Sequence, residues 1–224
     1  EHPNTELLRT TVSITSHSIV TVSLSARTVS NPNRPDSILH FGHIQVETPK
    51  LNWFMSNLTT SNSTDQLLCH ILQGSAIGVS DGSFFPNEKV GSCAWVLSTP
   101  DGSEFIKGGG LIPGPPQTQS SYRSELGGQL GLAAFISHIK LPPSFSTNIT
   151  VACDGLGAIR QVDSNTLTVS SNKKDFDLIT LIKDSWKDSS IIPTTKHVKG
   201  HQDSTSVTLT PMEHLNCVMD HDAK

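Results

Sequence analysis

Four acidic residues stand where a carboxylate needs a chemical reason. Asp81 follows the apolar alternation of Ser75-Ala76-Ile77-Gly78-Val79-Ser80, and Asp154 ends the run Ile149-Thr150-Val151-Ala152-Cys153. Unpaired carboxylates are costly in such settings. Glu125 falls in the first turns of a long helical stretch, and Asp220 falls in the last helical stretch of the chain. The four are far apart in sequence, so only tertiary folding can gather them. Gathered, they repel one another unless a cation neutralises them. Oxygen donors without His or Cys suit Mg²⁺ or Mn²⁺. Two such ions about 4 Å apart can hold the attacking and leaving oxygens of an in-line phosphoryl displacement. Taken singly, each acid reads equally as a solvated cap or loop carboxylate.

The elements that must position them are legible. SAIGVSDGSF, GSCAWVLST and EFIKGGGLI read as three successive strands, with turns marked by Gly82 and by Pro100-Asp101-Gly102. Ser120-Ser121 is a helix N-cap, and the helix runs through YRSELGGQLGLAAFISHI to Pro142-Pro143. Its Gly127, Gly128, Gly131, Ala133 and Ala134 suit a helix lying close on a sheet. NITVACDG is a fourth strand, leading into the short helix LGAIRQV. DFDLITLIKDSW is amphipathic, TTKHVKGH is a fifth strand, and the last helix starts at Pro211. The expectation is an α/β fold: a mixed five-stranded sheet flanked by helices. Residues 1–73 are Ser-, Thr- and Asn-rich, with weak alternation in TVSITSHSIVTVSLSARTVS and a break at Asn31-Pro32-Asn33-Arg34-Pro35. Apolar stretches follow around Leu51–Leu58 and Asp65–Leu72, the latter a helix stopped by Gly74. This part reads as a small N-terminal connecting or supporting segment, and residues 74–224 as the domain carrying the acids.

The second region resembles the ribonuclease H family, in particular the ribonuclease H domains attached to the reverse transcriptases of retroelements. The likeness rests on five blocks in order. They are Val79-Ser80-Asp81-Gly82-Ser83, Asn87 with Gly91-Ser92-Cys93-Ala94-Trp95, Ser120 to Leu126, Ala152-Cys153-Asp154-Gly155, and Val198-Lys199-Gly200-His201 with Leu215 to Ala223. It implies a metal-dependent endonuclease that hydrolyses the RNA strand of RNA/DNA hybrids, leaving a 5′-phosphate and a 3′-hydroxyl. It also implies two Mg²⁺ ions (Mn²⁺ could replace them), with Asp81 bridging both. Glu125 and Asp154 would complete the site of one ion, and Asp220 the site of the ion that activates water. His201 matches the family's mobile histidine, and an imidazole after a glycine can exchange protons near neutrality. Gly82, Ser83, Asn87, Ser121, Tyr122 and Arg123 match positions near the nucleic acid, where small polar groups can read the RNA 2′-hydroxyl. Arg123 reads equally as a structural ion-pair partner. Asp220 and Asp222 compete for the last ligand position. They lie about 200° apart around a helix, so both cannot face one site. The family pattern N-x-x-A-D-x-x-A aligns with Asn216, Met219, Asp220 and Ala223 and favours Asp220.

Composition limits the alternatives. The 224 residues carry 16 Lys+Arg against 20 Asp+Glu, a net charge of −4, which argues against binding nucleic acid by bulk charge alone. The expected partner is therefore an RNA/DNA hybrid gripped with help from a reverse transcriptase portion of the same polyprotein. No apolar run approaches the roughly 20 residues that span a bilayer, so no membrane contact is expected. No basic-then-apolar leader is visible, and the expected location is intracellular, in cytoplasm or nucleus. The missing initiator Met suggests a piece of a longer chain. The 4 cysteines lack CxxC spacing and read as reduced, mostly buried thiols. The sequons at Asn57, Asn62 and Asn148 read as chance matches in a Ser/Thr-rich chain. No G-x-S-x-G, dinucleotide or P-loop signature is present. The alternative function is a catalytically inactive ribonuclease H-like domain that binds nucleic acid or supports a reverse transcriptase. The Gly200-His201 pair sets the expectation apart from a 3′–5′ exonuclease or a transposase on the same fold.

Overall fold

The structure, a computed structural model, describes residues 57–139, 141, 145–163, 169–187, 189–202 and 208–224, and the backbone of 11–14, 20–23 and 44–45. Three short strands, β1 (Thr11–Ile14), β2 (Val20–Ser23) and β3 (Ile44–Gln45), form an antiparallel sheet. β1 and β2 fall in the weakly alternating stretch noted in the sequence. The Asn31–Pro35 break and Pro142-Pro143 lie outside the described residues, as do residues 51–56 of the first apolar stretch.

The larger sheet is built from β4 (Thr59–Thr60), β5 (Ile77–Phe85), β6 (Val90–Ser98), β7 (Phe105–Leu111), β8 (Thr147–Cys153) and β9 (Ile191–His197). Their order is β4-β7-β6-β5-β8-β9. β4, β7, β6 and β5 pair antiparallel, while β5–β8 and β8–β9 pair parallel. The mixed α/β sheet flanked by helices is as expected, with the two-residue β4 added at one edge. The fifth expected strand begins earlier than read, at Ile191. Pro193 looks like a breaker in sequence, but β9 is an edge strand, where a missing N–H is tolerated.

Helices α1 (Asp65–Gln73), α2 (Ser121–Ser137), α3 (Leu156–Asp163), α4 (Phe176–Lys187) and α5 (Pro211–Asp222) complete the unit. Strand alternation sorts the core into two faces. Cys93, Trp95 and Leu97 of β6 and Val151 and Cys153 of β8 pack with α1, α2 and α4, and Trp95 stacks obliquely on Phe135. Ile77, Val79, Ala94, Val96 and Ala152 point the other way, against Leu215, Met219 and Ala223, one buried stripe of α5. Met219, where the family pattern has Ala, fills this second core.

Local signals explain the helix ends. The Ser120 hydroxyl accepts from the Arg123 N–H at the start of α2. Thr210 and Glu213 cap α5 reciprocally, with Pro211 in its first turn. Gly74 closes α1 in the left-handed conformation, as its sequence position suggested. Leu67, Leu68 and Ile71 of α1 enter the main core. That core therefore includes residues on the N-terminal side of the 73/74 division read from the sequence. Among the described residues no helix is long and apolar enough to cross a membrane.

Candidate active site

Asp81 and Asp154 reach the same place by strand geometry. β5 and β8 run parallel, with Val79 opposite Ala152 as their last paired residues. Two residues further on, in step on the same face, stand Asp81 and Asp154. β5 and β8 stop pairing here, mid-way along β5 and at the end of β8, and the opening between them is the crevice of the site. Alternation carries both acids to the α5 side, which presents Asp220. Glu125 arrives from the opposite side, on α2. Its access depends on Gly82, where a Cβ would collide with the backbone of Ser124 and Glu125. The glycine after Asp81 thus lets α2 press onto β5 and brings Glu125 to the crevice.

The electrostatics show how crowded these acids are. Asp81 is 3% exposed, and its Oδ1 accepts from the Gly82 N–H at 2.7 Å. Burial first, then the Asp154 and Asp220 charges, pushes its pKa up to about 7. Glu125 is pushed up to about 9 by burial and by the charges of Asp81 and Asp154. Contact between the two carboxyls lowers Asp81 and raises Glu125. Burial also raises Asp154; the nearby imidazole of His201 opposes this and Asp220 adds to it. Such mutual repulsion in a partly dry site is the condition that a bound cation relieves.

Cys153 also belongs to this cluster. Its thiol donates to Glu125 Oε2 at 3.2 Å and accepts from the Gly155 N–H at 3.2 Å. Donor atoms of Glu125, Cys153 and Asp154 all lie within 4.8 Å of one another. The available signal was its place immediately before Asp154, on the α2 face of the strand. Only Cys93 and Cys153 of the four cysteines are buried; Cys69 is exposed and Cys217 half-buried. "Mostly buried" therefore holds for the two on the sheet, whose strand alternation turns them inward. The donor set fits a hard divalent cation, because carboxylate oxygens dominate it and their charges need compensation.

His201 lies in a loop that can approach the acids because residue 200 is glycine; a Cβ there would collide with Asp154 Oδ2. His201 itself has φ +52°, and its exposed ring puts Nδ1 3.9 Å from Asp220 Oδ2. His197, read as an ordinary surface residue, sits with Nε2 3.0 Å from the Asp154 carbonyl oxygen. Asp222 points away from the crevice and pairs with Lys107 at 2.7 Å. The angular argument therefore separates the two aspartates in the expected sense.

The other matched positions scatter more. Gly82 and Ser83 continue β5 beyond Asp81, Asn87 is exposed in the β5–β6 turn, and Ser121 is exposed in the first turn of α2. Tyr122 is half-buried and packs against the core, its ring beside Gly157 of α3. Arg123 departs from the substrate-binding expectation. It is 5% exposed, and its guanidinium binds Asp175 at 2.9 Å, Asp177 at 2.5 Å and the Pro113 carbonyl at 3.0 Å. Three anionic or polar partners consume its donors, so it ties the start of α2 to the start of α4 instead of facing a ligand.

Fold and site together define an α/β protein with carboxylates gathered where β5 and β8 part. No protein-family model matches the sequence, and no curated protein matches it. Among solved structures, the N-terminal RNase H domain of a Mycobacterium tuberculosis protein, solved as a fusion with maltose-binding protein, is similar. It has 13% identity and a TM-score of 0.43, over 66% of this chain and 89% of that one. RNase H1 from the halophilic archaeon Halobacterium salinarum is similar at 18% identity and TM-score 0.37, over 56% of this chain and 86% of that one.

Proposed function

We propose that this chain is a divalent-metal-dependent endonuclease that hydrolyses the RNA strand of RNA/DNA hybrids. The observation that carries the reading is the convergence of Asp81, Glu125, Asp154 and Asp220, with Asp81 and Glu125 pushed up to about 7 and about 9. The five sequence blocks support the same conclusion, since each acid lies in its matching element. Asp81, Glu125, Asp154 and Asp220 would hold two Mg²⁺ or Mn²⁺ ions. When bound, such ions supply a lowered pKa for water and charge stabilisation at the displaced oxygen.

The chain's own groups do the rest. Asp81 and Asp154, fixed on adjacent strands, set the spacing of the donor atoms. The Gly82 N–H and the Cys153 thiol each hold one carboxylate oxygen, which limits rotation of Asp81 and Glu125. His201, exposed and on a loop, can carry a proton to or from a group at the Asp220 side. Gly82, Ser83, Asn87, Ser121 and Tyr122 are the candidates for contacting the hybrid. Polar groups there can distinguish RNA through its 2′-hydroxyl. A reverse transcriptase portion of the same polyprotein would supply grip that this acidic chain lacks. The catalytic unit in this reading includes β4 and α1, with the residues before them as a connecting segment.

The test is cleavage of a hybrid labelled in its RNA strand. We expect Mg²⁺-dependent fragments ending in 5′-phosphate and 3′-hydroxyl, none from single-stranded RNA and none from the DNA strand. Hybrid binding without cleavage would instead assign the chain as a binding domain. Cleavage that persists in excess EDTA would reject the metal reading.

A further inference from the structure

One turn beyond Asp220, at the end of α5, stands Lys224. Its Nζ lies 2.7 Å from Asp220 Oδ2, the same oxygen that faces His201 Nδ1 at 3.9 Å. On an open helix surface an acid–lysine pair four residues apart stabilises weakly and has no further meaning. Here the two ends of the pair differ. The Asp220 side chain is 15% exposed and the Lys224 side chain 54%. The carboxylate therefore belongs to the crevice wall, where its charge is felt at Asp81 and Asp154. The ammonium, by contrast, reaches in from solvent on a long, flexible stem. Lys107, the other lysine paired to α5, binds Asp222 on the side turned away from the crevice.

We propose that Lys224 is a tethered counter-cation that neutralises Asp220 in the metal-free protein and is displaced when a divalent ion binds. This rests on the metal reading above and adds a residue that sets the ion concentration at which the site loads. The pair is strong enough to compete and weak enough to yield. A half-exposed ammonium is screened and keeps its freedom to swing out, while a divalent ion gains contact with several carboxylates at once. Until it is displaced, the ammonium lowers the negative potential that draws the ion in.

The experiment is Mn²⁺ binding to the whole chain, without nucleic acid, followed by the EPR signal of free Mn²⁺. Lys224→Gln should bind the ion tighter by roughly three- to tenfold, the effect of one charge at close range in a partly wet site. Lys224→Arg, which keeps the cation, should stay near the unaltered protein. Lys107→Gln, which removes the same net charge away from the crevice, should also leave affinity unchanged. Unchanged or weaker binding by Lys224→Gln overturns the proposal, as does equal tightening by Lys107→Gln, which would be a general charge effect. Absence of Mn²⁺ binding by the unaltered protein sinks the metal reading itself and the proposal with it, an outcome distinct from the other two.

Discussion

Asp81→Asn is expected to lower metal-dependent hybrid cleavage by on the order of a thousandfold or more, while making the metal-free protein harder to melt above about pH 7. The two effects have one origin. Asn keeps the shape of Asp and can still accept from the Gly82 N–H at Oδ1. It cannot carry the charge that Asp154 and Asp220 oppose in the metal-free crevice. Activity falls because the central ligand is lost; stability rises because a buried repulsion is lost. A substitution that damaged the fold would lower both. Thermal melting in EDTA, run beside the cleavage assay, therefore separates the accounts. Reduced stability of Asp81→Asn would show that the carboxylate serves packing.

A second large effect is a reversal in how pH and metal govern stability. Asp81, Glu125 and Asp154 all have folded-state pKa values above their ordinary ones, through burial first and then the charges of neighbouring carboxylates, Asp220 in the case of Asp154. Between the ordinary carboxylate range and these raised values, the folded protein holds protons that the unfolded chain has released. The sign follows from linkage: their stabilising contribution is full below about pH 4 and is lost as pH climbs through about 7 and then about 9. In EDTA the melting temperature should fall between about pH 5.5 and pH 9, by roughly 5 °C or more. Added Mg²⁺ should restore it at the high-pH end and do little at the low end, where protons occupy the ligand oxygens. Dispersed surface acids would give neither the fall nor the metal rescue.

The site was legible where local pattern and element boundaries coincide. Asp154 closes an apolar run at the end of β8, but Asp81 sits in the middle of β5, which continues through Gly82 where the sequence suggested a turn. Helix geometry says only that Asp220 and Asp222 cannot both face one site; the choice of Asp220 rests on the resemblance to the family pattern. What escaped depends on contacts across long stretches of chain. Arg123 finds Asp175 and Asp177, whose approach is set by how α4 packs on α2. The thiol of Cys153 meets Glu125 only because Gly82 lets two layers close. β4 is two residues long and carries no periodicity, and β9 hides its start behind Pro193. α1 reads as a helix from its own sequence, but its burial against the sheet is tertiary. There the Leu67 N–H donates to the Glu104 carboxylate on the far side of the chain at 3.0 Å.

The central claim is that the four acids act together as a cation site. Anomalous diffraction from crystals soaked in Mn²⁺ tests it most directly. The account predicts density for two ions, each within bonding distance of Asp81, with Glu125 and Asp154 on one and Asp220 on the other. Ions bound elsewhere, or none at the crevice while the four side chains stay in place, would contradict it.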